Sequence, residues 1–202
     1  MISNKKELKF YILADKIMNG INPNPSIGHR LKNLFYPNKI SKFLMLLRKC
    51  QYYSDLGGVL FIYYRMRFAK ISRDLGFSIG YKVFGYGLVI PHYGTIVVGG
   101  SNRIGNYCVL HTSTCITDNG KTIGNGLYVA TGAKIIRKVV LGDNVSIAAN
   151  SVVNNDFPDG NCLLAGMPAI KKADTIPWFE RDGKAFIERV NKVETLKQQM
   201  GL

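Results

Sequence analysis

The 202-residue chain is short of acid, with 13 Asp/Glu against 27 Lys/Arg, and it holds only three histidines, four cysteines and one tryptophan. The cysteines, Cys50, Cys108, Cys115 and Cys162, show no CxxC spacing, which reads as reduced thiols in a cytoplasmic protein. With so few histidines and no Cys/His cluster at ligand spacing, no metal is expected. No apolar run approaches the roughly 18 residues that a membrane-spanning helix needs. The opening Met1–Glu7 leads only into the short apolar stretch Phe10–Ala14, which is not the pattern of a signal peptide.

What is present is the composition of a soluble globular protein: 47% hydrophobic, 20% charged, mean hydropathy +0.02. Disorder and low-complexity architectures are excluded, and the length suits one sizeable domain or a core with an appendage. The net charge of +14 is uneven, because residues 1–76 hold fourteen Lys/Arg against four Asp/Glu. Such a field favours anionic partners. The basic residues are nonetheless scattered, and no zinc-finger, RNA-recognition or recognition-helix signature accompanies them, so a nucleic-acid partner is not expected.

Three styles follow one another along the chain. Residues 1–76 read as an α-helical region, with helices over Lys5–Met18, Ile40–Tyr53 and Val59–Leu75. Asn22-Pro23-Asn24-Pro25 is a loop, since proline fixes φ and donates no N–H. Val59–Phe68 is apolar and aromatic nearly all round, so it calls for cover from the rest of the chain or from a second subunit. Residues 158–202 read as a C-terminal loop and helix, in which Phe186, Val190, Val193, Leu196 and Met200 recur at helical spacing.

Residues 77–157 carry an internal period of six. Starting from Ile104, the first positions are Leu110, Ile116, Ile123 after one extra residue, Val129, Ile135, Leu141, Ile147 and Val153, all aliphatic. Glycine follows at once in Ile104-Gly105, Ile123-Gly124 and Leu141-Gly142. A six-residue period fits neither an α-helix nor simple strand alternation. It fits a solenoid of short flat faces joined by tight corners, with the aliphatic position pointing inward. Three hexads close one coil, so Val98, Ile116, Ile135 and Val153 stack on one another.

The segments Gly85–Gly99 (with Ile90-Pro91-His92-Tyr93-Gly94-Thr95 at its centre), Ala130–Ile135, Ala149–Val153 and the closing Gly166-Met167-Pro168-Ala169 together resemble the hexapeptide-repeat acyltransferases. The likeness is to the serine O-acetyltransferase branch and its sugar-acetylating relatives. It implies a mainly β fold, a left-handed parallel β-helix with an N-terminal α-helical region and a C-terminal helix. It also implies acetyl-CoA as donor, a place in cysteine biosynthesis, and a homotrimer or a dimer of trimers with sites between neighbouring subunits.

On the same resemblance His92 matches the catalytic histidine. The chemistry wants such a group: a neutral imidazole, with an ordinary pKa of about 6.5, can take the proton of an attacking hydroxyl. His111, one coil further on, is a candidate for acceptor binding, with a structural surface role as the alternative. Thr131, Gly132, Ala149, Gly166, Pro168, Lys171 and Lys172 match the cofactor-binding positions, the two lysines as point charges for nucleotide phosphates.

Three positions depart from the family's pattern. An aspartate about fifteen residues before the histidine is replaced by Phe77, and the acid directly before it by Pro91. The loop that carries an Arg-His pair for the serine carboxylate reads Thr117-Asp118-Asn119-Gly120-Lys121-Thr122, with Lys121 as its only cation. The sequence therefore leaves three readings: acetyl transfer to serine, acetyl transfer to a sugar hydroxyl of a surface glycan, or a non-catalytic scaffold.

Overall fold

The computed structural model describes residues 2–23, 26, 28, 35 and 37–202. Asn24 and Pro25 of the expected loop, and His29, lie outside the described residues. Helix α1 (Lys5–Met18) starts where the Asn4 side chain accepts from the Glu7 amide at 2.9 Å, and the Glu7 carboxylate in turn accepts from the Ser3 amide. Helix α2 (Lys39–Leu56) is capped likewise by Asn38 on the Ser41 amide. Helix α3 (Gly58–Leu75) follows after the single residue Gly57, and ends at Gly76 in the left-handed conformation.

The solenoid then winds through three parallel faces. The first stacks β1 (Phe77–Ile79), β2 (Ile96–Val98), β5 (Thr114–Ile116), β8 (Lys134–Ile135) and β11 (Val152–Val153). The second stacks β3 (Arg103–Ile104), β6 (Thr122–Ile123) and β9 (Val140–Leu141). The third stacks β4 (Val109–Leu110), β7 (Tyr128–Val129), β10 (Ser146–Ile147) and β12 (Cys162–Gly166), and ends on the antiparallel β13 (Ala169–Asp174).

The register is the one the hexads require. Ile79, Val98, Ile116, Ile135 and Val153 are successive partners on the first face. Ile104, Ile123 and Leu141 are partners on the second, and Leu110, Val129, Ile147 and Leu164 on the third. All are buried in one core, each contributing about 1.5–3 kcal/mol of apolar transfer. Parallel stacking continues past residue 157, because Leu163 and Leu164 pair with Ser146 and Ile147 before the chain reverses. Corners are tight enough to need glycine: a Cβ on Gly124 would lie 2.2 Å from an Asp143 carboxylate oxygen of the next coil.

The outer surface of the third face is covered by the chain's two ends. Helices α1 and α5 (Lys184–Gln199), with the short α4 (Trp178–Arg181), close a second core of Phe10, Met18, Tyr86, Tyr107, Trp178 and Val193. Trp178 anchors it by donating from Nε1 to the Tyr107 carbonyl at 2.7 Å, and Glu194 of α5 accepts from the hydroxyls of Tyr86 and Tyr107. Burial and that shared carboxylate push both phenols' pKa values up.

Two groups of α1 and α2 tie the helices to the coil. Asp15 accepts from Arg48 Nε at 2.7 Å and Nη2 at 3.0 Å, and from the amides of Gly87 and Leu88. Arg48 also donates to the carbonyls of Phe84 and Gly85 and to Gln51. Burial raises the Asp15 pKa, while the guanidinium and the two amides pull against it; with four N–H donors on its oxygens the group is held as the carboxylate. Asn19, just past α1, donates to the Leu88 carbonyl and accepts from the Ile90 amide. The side chain thereby supplies what a preceding strand would, two residues ahead of His92.

Candidate active site

Each corner from the third face to the first carries one group of the sequence-derived residues. His92 lies between the Val89 bridge and β2, His111 between β4 and β5, Thr131 and Gly132 between β7 and β8, and Ala149 between β10 and β11. Hydrogen bonds hold these corners in register: Ser113 donates to Thr95, Gly132 to Thr112, and Asn150 to Thr131. Gly166 ends the column, donating its amide to Ser151 Oγ at 3.1 Å. The result is one edge of the solenoid with His92 near its top and small residues below.

His92 is exposed, and among the described residues no group hydrogen-bonds its imidazole. His111 is half-buried, its ring 5.1 Å from that of Tyr128. Burial lowers the His111 pKa below 6.5, and the neighbouring His92 lowers it further, while Asp182 acts to raise it. His92 therefore lies close enough to act on His111 electrostatically, and burial favours the neutral form of the His111 ring. Gly132 stands at a positive φ of 76° with Asn150 Oδ1 2.1 Å from where a Cβ would be, so a side chain there would have to displace that amide.

The lysines of the closing hairpin differ from one another. Lys171 Nζ is already ion-paired with Asp174 at 2.7 Å, and that partner raises its pKa; Lys172 is exposed on β13. Pro168 sits exposed in the turn between β12 and β13.

Sequence reasoning missed the groups that the C-terminal segment brings to this edge. The Arg181 guanidinium lies 4.8 Å over the Tyr128 ring, donates to Ser146 Oγ at 3.0 Å, and pairs with Asp182 at 2.7 Å. The aromatic Trp178-Phe179 just before them was the available signal, since an indole needs a buried seat and fixes whatever follows it.

The loop cation has a different fate from the one its position suggested. Lys121 is fully buried, and its ammonium donates to the Thr117 carbonyl at 2.7 Å, the Thr117 hydroxyl at 2.9 Å and the Asn119 side-chain oxygen at 3.3 Å. Its three donors are all spent within its own loop, and burial lowers its pKa. A groove of about 1020 Å³ between α1 and α5, bordered by Leu13, Ile17 and Arg189, contains no member of the histidine edge.

A three-faced parallel coil with an exposed histidine above a column of small corner residues has the architecture of the hexapeptide-repeat proteins. No family model matches the chain. The serine acetyltransferase of Helicobacter pylori is 32% identical over 129 residues, which is 56% of this chain and 72% of that one. The serine acetyltransferase of Synechococcus elongatus is 33% identical over 91 residues, 42% of this chain but only 37% of its own length. Among solved structures, the serine acetyltransferase of Neisseria gonorrhoeae superimposes with a TM-score of 0.66 at 22% identity, covering 86% of this chain and 69% of that one. The soybean enzyme complexed with serine gives 0.66 at 20% identity, covering 81% and 69%. The chain belongs to the serine acetyltransferase family.

Proposed function

We propose that this chain transfers an acetyl group from acetyl-CoA to a hydroxyl, with His92 as general base. The observation that carries the reading is the single edge on which His92, His111, Thr131, Gly132, Ala149 and Gly166 succeed one another. The His92 imidazole takes the acceptor's hydroxyl proton as the oxygen forms its bond to the thioester carbonyl carbon. When the carbon–sulfur bond breaks, the same imidazolium returns that proton to the departing CoA thiolate, and the ring ends neutral. His111, whose neutral form burial favours, is thereby disposed not to place a positive charge beside that ring. Solved relatives include a serine acetyltransferase complexed with CoA. The exposed Thr131 and Ala149 corners offer the pantetheine arm a shallow track, Gly166 and Pro168 stand at its foot, and Lys172, exposed and without an ion-pair partner among the described residues, is the hairpin's ammonium for phosphate, with Lys171 shared with Asp174.

Serine is the family's acceptor and the first candidate. A sugar hydroxyl is the second, favoured by the spent ammonium of Lys121, which leaves the 117–122 loop without a cation for a substrate carboxylate. The working unit is a homotrimer in the cytoplasm. The outer surfaces of the first two faces support this, exposing Val97, Ile136 and Val140, whereas the third is already covered by helices. The domains are the helical region 1–76, the β-helix 77–157 and the C-terminal segment 158–202.

The test is CoA-thiol release across L-serine, homoserine, simple sugars and sugar nucleotides, with His92→Ala as control. Turnover on at least one acceptor, lost in the variant while its thermal midpoint and mass stay unchanged, is the expected result. Unchanged turnover in His92→Ala refutes the assignment, and silence with every acceptor favours a scaffold.

A further inference from the structure

Among the described residues, helix α3 does not receive the cover that its sequence calls for. Of its first three turns only Phe61 and Tyr64 are half-buried; Val59 is 81% exposed, Ile62 59% and Met66 69%, and Leu60 and Tyr63 are exposed with them. Positions 59, 62, 63 and 66 lie on one side of a helix. The same stripe runs on into Arg67 and Lys70. There Lys39 and Lys42 of α2 join them around a groove of about 500 Å³ that also takes in Met66 and a single acid, Asp74. Arg67 is held in place by Tyr63, to whose hydroxyl it donates at 2.7 Å.

An apolar ridge leading into four cations and one carboxylate has a definite complement. Water is a poor neighbour for the ridge, and a nucleic-acid backbone would satisfy only the cations. A second copy paired on this face would bring together two molecules carrying +14 each, which their mutual repulsion opposes. The surface of an anionic bilayer satisfies both parts. Its headgroup phosphates meet Lys39, Lys42, Arg67 and Lys70, while Val59, Ile62 and Met66 reach the acyl boundary, as an interfacial amphipathic helix does. No helix among the described residues is long and apolar enough to cross a membrane, so the contact is peripheral. We infer that the exposed face of α3, with the adjoining α2 lysines, docks this protein on the surface of an anionic lipid membrane.

The experiment is flotation of the purified full-length chain with vesicles of phosphatidylcholine alone, or with about one third phosphatidylglycerol added. The protein is expected to float with the anionic vesicles, to stay behind with the neutral ones, and to be released by high salt. Ile62→Asp/Met66→Asp and Lys42→Glu/Lys70→Glu are each expected to weaken vesicle binding by about tenfold or more. These side chains lie outside the histidine edge, so acetyl transfer and the circular dichroism spectrum report that the variants remain folded. Equal binding to neutral and anionic vesicles, no binding to either, or undiminished binding of the two variants overturns the inference. A fall in the lipid-free protein's mass on Ile62→Asp/Met66→Asp also overturns it, by making the ridge a contact between subunits.

Discussion

Replacing Asp15 by alanine tests whether the helical region and the solenoid are one cooperative unit. The substitution removes a carboxylate that receives two bonds from Arg48 and one each from the Gly87 and Leu88 amides. It leaves a guanidinium that is 0% exposed, still bonded to two carbonyls and Gln51 but without its counter-charge, and it leaves two backbone N–H groups without an acceptor. Stranding one partner of a buried ion pair costs about 3–5 kcal/mol. At about 2–4 °C per kcal/mol for a chain of this size, the thermal midpoint should fall by roughly 6–20 °C. Asp15→Leu combined with Arg48→Met should recover part of this loss, because no charge is then buried alone. It should not recover all of it, since the Phe84 and Gly85 carbonyls and the Gly87 and Leu88 amides stay unmatched. Differential scanning calorimetry on the three proteins at equal concentration measures the effect. A shift below about 2 °C in Asp15→Ala, or a double variant less stable than Asp15→Ala, would show that the pair does not hold α1 and α2 to the coil.

Two further predictions concern the site. The His111 imidazole, followed by NMR, should titrate below 6.5, fall further in Asp182→Asn, which removes the attracting carboxylate, and rise in His92→Ala, which removes a like charge. Because its folded pKa is depressed, its contribution to stability is complete above about 6.5 and is lost as pH falls through the folded value; a titration at or above 6.5 would contradict the burial. For Lys121→Met the loss should appear as a lower thermal midpoint, by about 1–3 kcal/mol of unmatched loop acceptors, with the acceptor KM unchanged. A raised KM at an unchanged midpoint would instead place the ammonium in the acceptor site.

The solenoid was legible because its information is periodic. Val98, Ile116, Ile135 and Val153 stand where counting hexads puts them, since each must fill the same seat in successive coils. The histidine edge was legible through short motifs that each occupy one corner. The placement of Arg181 and Asp182 was not, because it depends on Trp178 finding Tyr107, a contact between residues far apart in sequence with no repeat to announce it. Lys121 misled for a related reason. A lysine in a polar loop is ordinarily solvated, and only the inward carbonyl of Thr117 and its neighbours turn this one into a clamp.

The third face of the solenoid is closed at both ends, by Asn19 against the Leu88–Ile90 segment above and by the antiparallel β13 below. Parallel coils left open would present a ready template for further strands, and a stack of this kind has no internal reason to stop. Here the chain terminates its own polymer on that side. The coils advance in turns of 18 or 19 residues, so any fractional change of length would rotate His92 out of line with the corners beneath it.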